Sequence, residues 1–336
     1  MSTGVTITEG KDVDGGILAA YLLDGAGDGQ QLKRADIDKW KPEDGTLWLH
    51  VDFSHDETLD FLHGLPGLPA HVADALCLDE TRPRIDVIDD CLLVILRAVN
   101  TNPGAEPDDM VSIRIWLEPN RIVTSRRRRL KTIQDVQNKF EKKIGPSGPG
   151  DFLVQLIDRI GFRSNEIISG LEDAIDALEE KFNTERHAIA QLRTELTQLR
   201  RQSAILRRHI APQRDALERL SRESSSVLTD NLRMRLREEA DKFRRYVEDL
   251  DLARERAMLA HDHLQAMIAE EQNQRMFILS IVAAIFLPLS FVTGLLGMNV
   301  GGIPGSNYPW AFALIILGMF IVSFGLIWLF RRRRWI

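Results

Sequence analysis

Two stretches in the C-terminal part of the chain break an otherwise mixed pattern of polar and apolar positions. From Met276 to Leu296, 21 consecutive residues include no Asp, Glu, Lys, Arg or His, and a second run of 20 extends from Ala311 to Phe330. A helix needs about 20 residues to cross a hydrocarbon core roughly 30 Å thick. The core helix of a soluble protein keeps a polar face at that length, and neither run keeps one. Both are expected to span a bilayer.

Upstream of the spans the pattern is helical. After Pro146, Pro149 and Gly150 there is no glycine between Gly170 and Gly294, and no proline between Pro212 and Pro288. Charged helical stretches at about 151–182 and 184–209 precede a helix expected to begin near Thr229 and run straight into the first span. Its apolar positions Phe243, Tyr246, Leu250, Ala253, Ala257, Ala260, Leu264 and Met267 recur at 3–4 spacing, the mark of a seam against other helices. Three alanines in the seam allow close approach.

Residues 1–150 read as a mixed α/β domain. β-rich runs at Ile85–Ile88, Leu92–Ala98, Met110–Leu117 and Arg121–Ser125 are separated by turn-rich pieces such as 100–107, with helical stretches around His71–Leu78 and Leu130–Lys142. Gly25, Gly27 and Gly29 are not followed by a helix-forming run of the right spacing, so a hairpin turn is expected there rather than a phosphate loop. The expected order is an α/β domain (1–150), a helical domain and stalk helix (151–275), transmembrane helix 1 (276–296), an outer loop (297–310), transmembrane helix 2 (311–330) and a basic tail (331–336).

Charge supplies orientation. Arg331–Arg334 sit flush against the second span, whereas Gly297–Pro309 carry no charge. By the positive-inside rule the tail is cytoplasmic, the linker faces outward, and the first 275 residues return to the cytoplasm. Against a span, the basic run is not a nucleic-acid patch. Met1–Gly10 has neither the basic opening nor the apolar core of a secretory signal. Cys77 and Cys91 form no disulfide framework or metal-type spacing. No nucleophile–base pattern, phosphate loop or catalytic zinc motif is present, so neither an enzyme nor a permanently bound cofactor is expected.

Two spans in one chain cannot enclose a water-filled path, so transport requires an oligomer in which each subunit contributes a helix to a central axis. The first span, continuous with the stalk, is the candidate. Steps of seven along one face give Asp262, Ala269, Met276, Ala283 and Ser290, with Leu279 and Leu287 beside that line. Apolar rings gate by dewetting, and acidic rings attract cations. The expected pore lining is Asp262, Met276, Leu279, Ala283, Leu287 and Ser290; packing against the second span or lipid is the alternative for each. Pro288 should kink the span or free the carbonyl of Ala284. The linker offers only neutral oxygens, and a ring of Asn299 carboxamides would accept hydrogen bonds from water around a hydrated cation. Gly297 permits the tight helix ending that places Asn299 on the axis.

A two-span C-terminal hairpin with Gly297-Met298-Asn299 after its first span, a long stalk helix and an α/β front domain resembles the CorA superfamily of divalent-cation transporters over essentially the whole chain. The magnesium-type linker has an acidic residue shortly after a Met-Pro pair; here the residues are Val300-Gly301-Gly302-Ile303-Pro304-Gly305. That linker, with Thr81-Arg82-Pro83-Arg84 and Ala211-Pro212-Gln213-Arg214-Asp215, resembles the zinc-transporting ZntB branch. The resemblance implies a CorA-like homopentameric funnel in a bacterial-type inner membrane, both termini cytoplasmic, in contact with lipid. It also implies Zn²⁺ as the transported substrate, with proton-coupled uptake. Neither span contains a titratable residue, so a coupled proton must use groups outside them, such as His261, Asp262, His263, Glu270 or Glu271.

As metal ligands, Asn299 would act through a hydrated ion, and Asp262, His261 and His263 directly. Neighbouring helix positions point about 100° apart, so His261 and His263 can hold one ion only in a site shared between subunits. His50, Asp52 and His55 form a second cluster, read in preference as surface or strand-end residues. The run Glu172, Asp173, Asp176, Glu179 and Glu180 either concentrates cations or is a solvated helix face. A Mg²⁺/Co²⁺ channel is the alternative substrate reading. A membrane-anchored coiled-coil scaffold or sensor is the alternative of another class, opposed by the charge-free linker and its Gly-Met-Asn.

Overall fold

The structure, a computed structural model, describes residues 15–79, 82–100, 102–106, 109–184, 189–298, 305 and 308–333. The chain divides into two compact units, Met1–His261 and Asp262–Ile336.

The first unit is built on a seven-stranded sheet. Its strands are β1 (Ile17–Leu23), β2 (Gly29–Gln31), β3 (Thr46–Asp52), β4 (Arg84–Ile88), β5 (Cys91–Val99), β6 (Met110–Leu117) and β7 (Arg121–Arg126), in the order β2-β1-β3-β7-β6-β5-β4. Only β3 and β7 pair in parallel. The period of two assigns the strand residues to faces. Trp48, Leu92, Val94, Leu96, Ile113 and Ile115 enter one core, and Leu47, Leu49, Val51, Leu93, Trp116 and Val123 the other. β6 is buried along its whole length, as a central strand covered on both faces must be.

The second face carries α2 (Glu57–His63) and α3 (Ala70–Leu76); the short α1 (Arg34–Ile37) contributes Ile37 to the same core. The first face carries α4 (Lys131–Glu141) and three long helices, α5 (Pro149–Thr184), α6 (Ile189–Leu220) and α7, which starts at Asp230. The expected seam on α7 is observed: Phe243, Tyr246, Leu250, Ala253, Ala257 and Ala260 are buried. Ion pairs fasten the bundle around it. Arg207 pairs with Asp251, Arg244 with Glu218 at 3.0 Å, Lys181 with Glu195 at 2.8 Å, and Arg256 with Asp176 and with Glu179, the last at 2.7 Å. Two members of the acidic run are therefore bridged to α7.

The glycine-rich turn is the expected hairpin, with Leu23 opposite Gly29. Asp24 Oδ1 accepts the N–H groups of Ala26 and Asp28 and closes the loop. At Gly27, φ is 102°, and a Cβ would lie 2.9 Å from the Lys143 carbonyl oxygen. Only glycine fits there.

Two expectations are corrected. α6 does not end near His209; it continues through Pro212 to Leu220. Proline removes one helical hydrogen bond and crowds the preceding turn, but Ala216, Leu217 and Leu220 are buried beyond it, and that packing carries the helix onward. His50 is not a surface or strand-end residue: it is 3% exposed, within β3.

In the second unit, α7 runs on to Leu296, and α8 spans Ala311–Arg332. Both are long and apolar enough to cross a membrane, and no part of either apolar window is buried. A buried core helix is excluded on that ground, so the chain is read as spanning a membrane twice.

Candidate functional site

The candidate site is the first membrane-spanning segment of α7. Ile281, Ile285 and Leu289 recur every four residues and are half-buried. On α8, Ala311, Ile315, Met319, Ser323 and Leu326 form a similar half-shielded stripe. At about 100° per residue, Met276, Leu279, Ala283, Leu287 and Ser290 fall within an arc of roughly 80° on the side of α7 opposite its shielded stripe. All five are exposed in the single chain; Met276, Leu279 and Leu287 are 66%, 67% and 69% exposed. The residues expected to line a path thus share one side of the helix, though Ile278, Phe286, Phe291 and Leu295 on its other sides are exposed as well.

This face is dry in character. Ser290 supplies a hydroxyl, and its carbonyl accepts the Thr293 hydroxyl at 3.0 Å. Ser280 turns its hydroxyl back onto the Met276 carbonyl at 2.9 Å, satisfying itself within the helix. Pro288 lies inside α7 without interrupting it; having no N–H, it leaves the Ala284 carbonyl without its usual helical donor. The helix closes at Leu296, and the Gly297 N–H donates to the Thr293 carbonyl at 2.9 Å. Met298 follows, 53% exposed. Asn299 and 300–304 lie outside the described residues.

At the other end of the segment, Arg275 is the last charge before the span and pairs with Glu271 at 2.5 Å. Asp262 and His263 are exposed, whereas Leu264, the next residue, is buried. His261 is half-buried. Among the described residues no three His, Cys, Asp or Glu side chains converge as a metal site within one chain, so His261, Asp262 and His263 could bind an ion only together with a second copy.

His50, Asp52 and His55 do not come together. The His50 Nδ1 lies 2.8 Å from the Thr124 hydroxyl, and burial, reinforced by the charge of Arg126, pushes its pKa down to about 3. Asp52 accepts from the Ser54 N–H and hydroxyl instead. A neutral, buried imidazole committed to a neighbouring strand is part of the core. In the acidic run, burial and then the nearby Asp249 raise the carboxyl of Glu172.

One residue of consequence lies in the pentapeptide Ala211–Asp215. Gln213 is 1% exposed, and its Oε1 accepts the Arg97 backbone N–H at 2.6 Å. The β4–β5 pairing reaches only Ile95, so Gln213 on α6 satisfies a strand donor that β4 does not reach. Of the other tetrapeptide, Thr81 lies outside the described residues, and Arg84 on β4 pairs with Asp86 at 3.1 Å.

The family described as "CorA-like Mg2+ transporter protein" matches residues 43–332 of the chain. The divalent cation transporter CmaX of Pseudomonas aeruginosa is 38% identical over 330 residues, covering 96% of this chain and 97% of that protein. The zinc transport protein ZntB of Klebsiella pneumoniae is 34% identical, with 94% and 95% covered. Among solved structures, full-length CmaX aligns with a TM-score of 0.82 over 96% of this chain and 99% of that one, at 38% identity. The complete CorA magnesium transporter from Methanocaldococcus jannaschii aligns at 0.79 over 94% and 98%, and at 23% identity this likeness speaks for the fold alone.

Proposed function

This chain belongs to the CorA-like Mg²⁺ transporter family, and on that premise we propose that it transports divalent cations, with Zn²⁺ as its preferred substrate. The observation that carries the proposal is that Met276, Leu279, Ala283, Leu287 and Ser290 share one side of α7, opposite the half-buried Ile281, Ile285 and Leu289, in the segment that precedes Gly297-Met298-Asn299 in the sequence. In a homopentamer, five such faces would meet on an axis, with Asn299 at the outer mouth and Met276, Leu279 and Leu287 as a dewetting gate. Asp262 would draw cations toward the inner end. The membrane would be a bacterial-type inner membrane with both chain termini cytoplasmic.

Two features support zinc. The linker Val300–Gly305 lacks the acidic residue of the magnesium-type pattern, and zinc transport proteins are among the relatives. Magnesium or cobalt is the second reading, left open by the intact Met298, and magnesium is the ion in the family's own description. Coupled uptake of protons would rely on groups outside the spans, among them His261, Asp262, His263, Glu270 and Glu271, because the apolar segments contain no titratable side chain.

The test is Asn299→Ala in liposomes. Metal entry should be lost while the oligomer, followed by size and native mass, stays intact. Normal entry through that variant would remove Asn299 from the path.

A further inference from the structure

A cavity of about 790 Å³ opens on the face of the sheet that carries α2 and α3. Its size suits a small organic molecule. The floor is Leu47 and Trp116, and Trp40, Phe61 and Leu65 contribute to the walls. Both indole N–H groups are already used: Trp116 donates to Glu118 at 2.8 Å, and Trp40 to the Gly45 carbonyl at 3.2 Å. What remains on offer is mainly aromatic and aliphatic surface.

The charges of the cavity do not balance. Its lining includes two arginines and four carboxylates. Arg121 is held by Glu118 at 2.6 Å and by the Pro66 carbonyl at 2.9 Å. Arg34 lies 4.2 Å over the Phe61 ring and 3.8 Å from Asp38. With both cations committed, Asp60 and Asp89 have no cationic partner among the described residues. The thiol of Cys91, which also lines the cavity, registers the field: burial raises its pKa, and Glu118, Asp90 and Asp89 raise it further against the opposing Arg121.

Aromatic walls with uncompensated negative charge are the chemistry that recognises organic cations. An inorganic ion is served less well, since no three ligating side chains converge here. We propose that this cavity binds an aromatic amine in its protonated form, the ring against the half-buried Trp40 and Leu65 and the ammonium toward the exposed carboxylates of Asp60 and Asp89.

Three probes with one indole body separate charge from shape: tryptamine, the neutral tryptophol and the anionic indole-3-acetate. They are compared by equilibrium dialysis against the full chain in detergent, in a Cys77→Ser background, at neutral pH and low salt. Tryptamine should bind about tenfold more tightly than tryptophol, with indole-3-acetate weakest, and should slow alkylation of Cys91 by N-ethylmaleimide. In the double variant Asp60→Asn/Asp89→Asn the preference for tryptamine should collapse to that of the neutral probe; asparagine tolerates the positive φ of 47° at position 89. Equal binding of tryptamine and tryptophol, unprotected Cys91, or an unchanged preference in the double variant would each overturn the proposal. The protection measurement needs no variant of the cavity itself, so it stands even if the double variant folds poorly.

Discussion

A charge placed at Leu287 distinguishes a path-lining face from a lipid-facing one. Leu287 lies eleven residues beyond Met276 on α7, about 16 Å along the axis at 1.5 Å per residue, and so near the middle of the apolar segment. It is 69% exposed. If it faced lipid, Leu287→Lys and Leu287→Asp would both be penalised by about 2.5–3.5 kcal/mol per chain on insertion scales, and both would lose assembled protein. If it faces the central axis, both assemble and their effects on cations are opposite. A lysine charge about 6 Å from a divalent ion costs about 1.4 kcal/mol even at the dielectric of bulk water, and five copies about 7 kcal/mol. Since each 1.4 kcal/mol is about a factor of ten, Leu287→Lys should lower zinc entry at least about a hundredfold, while Leu287→Asp conducts. Ile285, two residues away and about 200° around the helix, is half-buried, and Ile285→Lys should impair assembly instead. The assay is zinc entry into liposomes together with oligomer yield from the same preparations. Equal flux through the Lys and Asp variants, or loss of assembly in both, would refute the placement of this face on an axis.

Two further predictions concern the first unit. Gln213→Ala would leave the Arg97 N–H buried without an acceptor, at a cost of about 1–3 kcal/mol; chemical denaturation followed by tryptophan fluorescence should show that loss, and an unchanged midpoint would deny the contact. His50 has a folded pKa of about 3, pushed down by burial and then by Arg126, against about 6.5 when unfolded. Its depressed value means the unfolded state takes up the proton first. The neutral histidine is therefore fully tolerated above about pH 6.5, and stability falls by up to about 1.4 kcal/mol per unit as the pH drops from there toward 3. His50→Gln should flatten that slope between pH 6.5 and 4.5, and an equally steep decline in the variant would show that His50 is not its source.

What could be read from residue order alone followed from how local each signal was. The spans are visible because 21 and 20 residues pass without a charge, and the α7 seam because its apolar positions keep one period for several turns. β4 to β7 stood out as β-rich runs between turns. β1 did not, because Ile17–Leu23 is apolar almost throughout and so lacks alternation. β3 was obscured by His50 and Asp52, which look like chemistry until the fold buries the first and ties the second to Ser54. The overrun of α6 past Pro212 depends on packing against distant residues, which no local rule reports. The shared side of α7 that carries Met276, Ala283 and Ser290 was visible as a seven-residue step. The cavity over Trp116 was not, because it is assembled from pieces scattered between Arg34 and Arg121.

Metal selectivity is decided by the uptake of Zn²⁺, Mg²⁺, Co²⁺ and Ni²⁺ into liposomes containing the purified full chain, each measured with and without an inward proton gradient and against protein-free vesicles. The proposed function predicts saturable Zn²⁺ entry, faster than Mg²⁺ entry and accelerated by the gradient. Mg²⁺ entry without Zn²⁺ entry would contradict the zinc assignment, and entry of none of the four would contradict transport itself.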